Sequence, residues 1–513
     1  MTPVPKQWWT TRWFIALVIV LSAVPLLWPT IPPLTDLPGH IGRYRVMLGT
    51  DAATLDAWYR FAWRPIGYLG VDLSVAALAP LLGLEPATKL IVILIPVLTV
   101  TGILWLSKEA HGRVQPTVLF ALPYAYNLAF LYGFANYTLA MALALNAFAL
   151  WLRMGRGDWR VRAAVFVPLA CVIWTAHLFG WLCLGVVIFS AEVARQRAAA
   201  HGWPQAMLRA GIACLPLALP VLMFLGWHPG SGGASDWLES LRLKPGWLVM
   251  VLRDRWQIFD VACAILIALL LHRAFRDARV KSAPMLLAAA IGMLALFVAM
   301  PFGAAYADMR IAPYVIILAL LSIRIGPKIS GRERRLVAAI GLAFFLVRTA
   351  ATTASFAIES ADWDRHLAAL NHVPRGARVV AFVANSCDQP WRMARSGHLP
   401  GMAIARRAAF SNDQFDAESG TALMTVTAPG IAGFAHDPSQ IVMDAPCPQS
   451  PEFRTLDQAL TQLPRDRFDM VWLITPPPGF ATRTAGLRPV WSDGRDFLFA
   501  IPHRGLSQPQ PAP

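Results

Sequence analysis

Asp36, His40 and Arg43 stand at spacings of four and three in the segment TDLPGHIGRY, just after an apolar run and the prolines Pro32 and Pro33. If Pro38 opens a helical turn, His40 and Arg43 share one face, and Asp36 lies near the amide-rich N-terminus. A carboxylate, an imidazole and a guanidinium then meet in one place. The carboxylate or the imidazole can take a proton from a hydroxyl, and the guanidinium can hold an anion such as a phosphate. A solvated interfacial helix with a local ion pair has the same spacing, so the pattern alone does not choose between chemistry and packing.

Other polar residues interrupt apolar sequence. Arg310, in YADMRIAPYVIILAL (306 to 320), stands at the outer end of a span, where it can meet a lipid phosphate; the alternative is a snorkelling anchor paired with Asp308. His177, in VIWTAHLFGW, breaks an apolar stretch that is too long for one span and suits two short ones. It can reach a phosphate or an acceptor from an outer turn, or be a buried histidine bonded to a carbonyl. Tyr124, Asn127, Asn136 and Tyr137, in PYAYNLAFLYGFANY, surround another outer turn. They line a sugar pocket or bond helix to helix, the commoner outcome in membranes. Asp72 is functional if it lies within the membrane. The loop WHPGSGGASDWLESLRLKPGW (227 to 247) can close over an acceptor or merely connect two spans, and His398, Arg406 and Arg407, in GHLPGMAIARR, can contact an acceptor or simply be exposed basic loop residues.

The elements that must carry these residues are set by composition. Hydrophobic residues make up 56% and charged residues 15%, against about 25% charged in soluble domains. Lipid is therefore the solvent for most of the chain. The formal net charge of +15 does not indicate nucleic acid, because the basic residues fall in short clusters between apolar runs; they read as cytoplasmic topology signals. The run Trp13 to Trp28 reads as a retained signal anchor with the N-terminus inside. Further spans are expected near 87–107, 114–131, 133–152, 163–177, 178–193, 206–227, 257–272, 282–301, 310–324 and 335–352, about eleven in all, several shorter than the roughly 20 residues a perpendicular helix needs. The segment 65–84 reads as a re-entrant or interfacial helix. This count puts loops 32–64 and 228–256, and everything after about 353, on the non-cytoplasmic side.

Residues 360–505 change character. ARVVAFVA (377–384), FDMVWLIT (468–475) and RDFLFAIP (495–502) have the look of buried strands, and DWDRHLAALNHV and FRTLDQALTQL of helices between Pro-rich turns. The expected division is a transmembrane module, 1–355, with the outer loop 32–64, and a C-terminal domain, 356–513. In an oxidising compartment Cys387 and Cys447 form a disulfide; two unpaired thiols are the alternative. Cys171, Cys183, Cys214 and Cys263 lie in apolar runs and read as packing residues.

A first transmembrane helix followed at once by an outer loop bearing an Asp resembles the C-type (GT-C) glycosyltransferase superfamily. TDLPGHIGR is similar to the loop of its bacterial members, and YADMRIAPYVIILAL to their Arg-then-proline pattern at the outer end of a late span. The resemblance implies a polytopic α-helical membrane protein with a small C-terminal α/β periplasmic domain, multi-pass in the bacterial inner membrane. It also implies an inverting transferase that moves a sugar from a polyprenyl-phosphate donor to a lipid or glycan acceptor on the periplasmic face. Asp36 becomes the general base with His40 as its substitute, and Arg310, Arg43 and His177 become donor-phosphate ligands. The first loop lacks a paired acidic motif, which leaves a divalent metal on Asp36 as an open alternative. A transporter or flippase of lipid-linked saccharide and a non-catalytic scaffold for envelope assembly are the competing classes. No Walker loop, paired CxxC, HExxH or Gly-x-Ser-x-Gly elbow is present.

Overall fold

The computed structural model describes residues 7–502 apart from 156, 226–236, 301–305, 389, 417–422, 429 and 432. The glycine-rich start of the 227–247 loop therefore lies outside the described residues. Two compact units divide the chain. One comprises Met1–Pro32, Pro65–Ala357 and Trp391–Met393, and the other Pro33–Arg64, Ile358–Pro390 and Ala394–Pro513.

The first unit is helical. Leu84–His111, Ala135–Met154, Trp159–Ala176, Leu178–Ala198, Gln257–Arg276 and Gly331–His372 are long and apolar enough to cross a membrane, and the pair Trp203–Ala213 and Leu215–Met223, bent by 44°, adds one more if it is a single span. Arg12–Leu26, Gly70–Leu82 and Pro284–Ala299 are shorter apolar helices. Ala135–Met154 packs between Leu84–His111 and Leu178–Ala198, and the close approach to the latter requires Gly180, where a Cβ would strike Ala140.

The expected span 114–131 is not one helix. It forms the 3-10 turns Pro116–Phe120 and Leu122–Tyr126, then the short helix Leu128–Tyr132. Pro116 and Pro123 each remove an amide donor at the start of a turn and stop α-helical continuation. Residues 114–131 are buried in protein throughout, which is the condition under which irregular backbone is tolerated at membrane depth.

The second unit is built on a six-stranded sheet. Phe410–Ser411, Arg378–Asn385, Met470–Ile474, Phe497–Ala500 and Arg488–Ser492 follow one another, and Ile441–Met443 also pairs with Arg378–Asn385. Arg378–Asn385 is parallel to its three neighbours, whereas Phe497–Ala500 is antiparallel to both of its own. Met470–Ile474 is buried at every position, the pattern of a central strand covered on both faces. Helix Leu456–Gln462 starts in a capping box between Thr455 and Gln458. The core of this unit takes Val46, Leu55 and Tyr59 from the first loop together with Val380, Phe382, Val471 and Leu473 from the sheet. Tyr59–Phe61 also pairs antiparallel with Met424–Val426. Cys387 and Cys447 are joined by a disulfide with their Cα atoms 5.4 Å apart.

Candidate functional site

Leu37–Met47 is a helix with Pro38 in its first turn, where a missing amide donor costs nothing. Nine of its eleven residues are buried, so it needs neighbours on every side. Its glycines provide the closest approach: a Cβ on Gly42 would lie 2.7 Å from the Gly401 carbonyl oxygen and 2.8 Å from Gln414 Nε2. A Cβ on Gly39 would lie 3.3 Å from both the His398 Cβ and the Phe415 ring. The turn His398–Gly401 is thus pressed against the helix, and the residues around Asp36 are assembled by that contact.

Asp36 takes the N-cap position, its carbonyl accepting the His40 amide at 3.0 Å, but its side chain does not cap the helix. Asp36 Oδ1 lies 3.9 Å from His398 Nε2, and Asp437 Oδ1 lies 3.8 Å from the same nitrogen. Asp437 is fixed by Gln440 Nε2, which donates to Oδ1 at 2.7 Å, and by its own amide donating to the Gln414 carbonyl at 3.0 Å. Phe415 stands between the two imidazoles, with centroid distances of 4.6 Å to His398 and 5.3 Å to His40.

Burial, then the charges of Arg43 and His398, holds the His40 imidazole well below its usual titration range. The neighbouring Asp413 is pushed well above the usual carboxylate range, first by burial and then by Asp437, even though it accepts the Gly401 amide at 2.7 Å and Gln414 Nε2 at 3.0 Å. Arg43 is buried, its Cζ 5.2 Å from the Tyr44 ring centroid. Among the described residues, no group of three or more His, Cys, Asp or Glu side chains could hold a metal ion.

Arg406 and Arg407 end helix Met402–Arg407 of the second unit; the other polar residues singled out from apolar sequence lie in the first unit. Arg310 stacks on Phe134, with Cζ 3.9 Å from the ring centroid, and is 5.7 Å from that of Tyr137. The Tyr137 hydroxyl donates to the Arg310 carbonyl at 2.6 Å. His177 caps helix Leu178–Ala198, its Nδ1 accepting the Phe179 amide at 3.1 Å, and its ring is flanked by Tyr68 and Tyr137. Asn136 accepts the Val71 amide at 2.6 Å and donates to Asp72 at 2.9 Å. Asn127 caps the Leu128–Tyr132 turn and donates to the Tyr124 carbonyl. Asp308, considered above as a partner for Arg310, pairs with buried Lys244 at 3.4 Å. Lys244 also donates to the carbonyls of Phe297 and Met300.

Asp36, His40 and Arg43 therefore share one helix, as their spacing implies, and Arg310, His177 and Tyr137 share one aromatic cluster. Asp437 is a group that reading the sequence did not select, and His398, read there as an acceptor contact or an exposed loop residue, is instead largely buried and lies 3.9 Å from Asp36. The available signal was the GHLPG turn at 397–401, whose small residues permit a backbone to approach closely.

No family model matches the chain, and no curated protein matches it. Solved structures do. The crystal structure of ArnT from Cupriavidus metallidurans in the apo state superposes with a TM-score of 0.51 at 13% identity, covering 95% of this chain and 97% of that one. The structure of ArnT from the same organism bound to undecaprenyl phosphate gives 0.52 at 13% identity, covering 97% and 99%. The chain therefore has the GT-C fold, shared with ArnT along nearly its whole length.

Proposed function

We propose that the chain is a membrane glycosyltransferase of the bacterial inner membrane that moves a sugar from a polyprenyl phosphate to a lipid or glycan acceptor on the periplasmic face, with Asp36 as general base. The observation that carries this reading is the near full-length agreement with a fold that has been solved with undecaprenyl phosphate bound. A carboxylate at a helix N-terminus next to an imidazole adds to it.

In the proposed reaction the acceptor hydroxyl gives its proton to Asp36 as its oxygen bonds to the anomeric carbon from the face opposite the donor phosphate. The bond from that carbon to the phosphate oxygen breaks, and the polyprenyl phosphate leaves with the electron pair. A positioned base contributes about 100- to 10,000-fold. The departing phosphate gains charge, so a guanidinium is useful there, and Arg43 stands on the same helix as the base, each charge-assisted bond being worth roughly 1.5 to 3 kcal/mol; Arg310 is proposed separately as a ligand of the lipid phosphate.

The test is to incubate the full chain in liposomes with undecaprenyl-phosphate-linked hexoses and a membrane glycan extract. Consumption of donor with sugar appearing on the acceptor fraction supports the transferase. Donor that crosses the bilayer unconsumed supports the flippase instead.

A further inference from the structure

At one end of the helical unit, basic residues from four separate segments converge. We propose that Arg113, Lys281, Arg324 and Arg334 form a binding site for the phosphate of an acidic phospholipid headgroup, such as that of phosphatidylglycerol. The site is distinct from the region around Asp36 and does not depend on sugar transfer.

Hydrogen bonds tie the four segments together. Helix Leu84–His111 ends at Gly112, whose φ of 72° lies in the left-handed region, and Arg113 follows that turn. Gln115 Oε1 accepts the Ile325 amide at 3.4 Å, and His111 Nε2 lies 2.8 Å from the Leu321 carbonyl oxygen, which joins the turn to the end of helix Ala307–Ser322. Strand Ile323–Ile325 leaves that helix and pairs with Val280–Ser282 in a two-stranded ribbon, with Arg324 directly opposite Lys281. Arg334, near the start of helix Gly331–Leu367, donates to the carbonyls of Gly326 at 2.8 Å and Ile329 at 3.1 Å.

A two-stranded ribbon is marginal by itself, and like charges directly opposite one another weaken it further. The acidic residues of these segments are committed elsewhere: Asp277 and Glu333 both pair with Arg279, and Glu109 accepts the Trp105 indole N–H. Among the described residues, the side chains of Arg113, Lys281 and Arg324 have no hydrogen-bond or carboxylate partner, and all three are exposed. Partial burial, then the charges of Arg334 and Arg324, holds Arg113 below the ordinary arginine range. A topology signal requires only that such charges lie on one side of the membrane. It does not require them to be gathered without carboxylates. A phosphate among them would turn repulsion into attraction, since its oxygens accept several charge-assisted hydrogen bonds at once.

The placement selects a lipid. Arg113 and Arg324 stand just beyond the ends of apolar helices, and Lys281 just before Pro284–Ala299, so the cations lie at headgroup depth. Leu336 and Ile340, exposed one turn apart on the helix that carries Arg334, offer acyl chains an apolar face. Basic groups between transmembrane helices recognise acidic headgroups in this way.

The test follows thermal unfolding of the full chain in neutral detergent while phosphatidylglycerol, phosphatidylcholine or inorganic phosphate is added. A ligand that binds only the folded chain raises the melting temperature in a saturable way. Phosphatidylglycerol should do so, and the other two, at the same phosphate concentration, should not. The double variant Arg113→Gln/Arg324→Gln should need about 10- to 100-fold more phosphatidylglycerol for the same rise, while Arg153→Gln/Arg160→Gln, which removes equal charge from another basic segment, should change the requirement by less than about twofold. Without lipid the first variant should melt no lower than wild type, because it removes repulsion and no hydrogen bond. A clear fall would make these arginines structural and overturn the inference. It is overturned too if the second variant weakens the lipid effect as much, which is non-specific attraction, or if inorganic phosphate reproduces the rise, which makes the ligand a free anion.

Discussion

The two polar clusters are brought together by different means. Around Arg310, the polar groups are joined at bonding distance: Tyr137 to the Arg310 carbonyl at 2.6 Å, Asn136 to Val71 at 2.6 Å and to Asp72 at 2.9 Å. Around Asp36, backbones touch through glycine while His398 stays almost 4 Å from each carboxylate. Bonds at ideal length hold helices together and resist change. The comparison gives Asn136, Asn127 and the His177 cap a mainly fixing role, whereas Asp36 is the base of the proposed reaction.

Several substitutions would break or sharpen that contrast. The largest effect on lipid binding is expected from Arg310→Ala: if the guanidinium holds the lipid phosphate, undecaprenyl phosphate should bind roughly 10- to 100-fold more weakly in a flotation or fluorescence assay, the loss of one charge-assisted bond. Unchanged binding would make Arg310 a packing cation on Phe134. Next, Gly42→Ala drives a Cβ against the Gly401 backbone and should lower the stability of the second unit by about 1 to 3 kcal/mol. Thermal unfolding in detergent measures this, and a neutral result would mean that the helix is not pressed on the turn. Asn136→Ala deprives buried Asp72 of one bond and the Val71 amide of its acceptor, at about 1 to 3 kcal/mol. Its transfer per folded molecule should stay within about threefold of wild type, unlike a change at Asp36.

The smallest effect concerns pH. His40 is held neutral in the folded chain, its proton affinity lowered from the ordinary value of 6.5 by burial. The unfolded chain then binds the extra proton more readily, so stability falls as pH drops below about 6.5. His40→Phe should flatten that part of the melting-temperature profile. An unaltered slope would place the acid sensitivity elsewhere.

Local pattern and distant pairing were not equally legible. Helix Leu37–Met47 and the strands near 378–385, 470–474 and 497–500 follow from features visible within a dozen residues, such as Pro38 ahead of a polar face or an unbroken apolar run. The resemblance carried by TDLPGHIGR agrees with the observed fold. The meeting of Asp36 with His398 and Asp437 has no local signature, because nothing in the spacing of either segment says which remote turn its glycines will admit. The stretch 114–131 departs from a single helix for a related reason. Average apolarity registers burial, and that stretch is buried, but Pro116 and Pro123 decide the backbone hydrogen bonding. Hydrophobicity says where a segment resides; its donors decide what shape it takes there.

The most direct test of the central claim compares wild type with Asp36→Asn for transfer from an undecaprenyl-phosphate-linked hexose, with undecaprenyl phosphate binding measured in parallel. The account predicts binding within about threefold of wild type and transfer reduced at least about 100-fold, since only the proton-accepting group has been removed. Transfer retained within about threefold by a variant that folds and binds the lipid would contradict it.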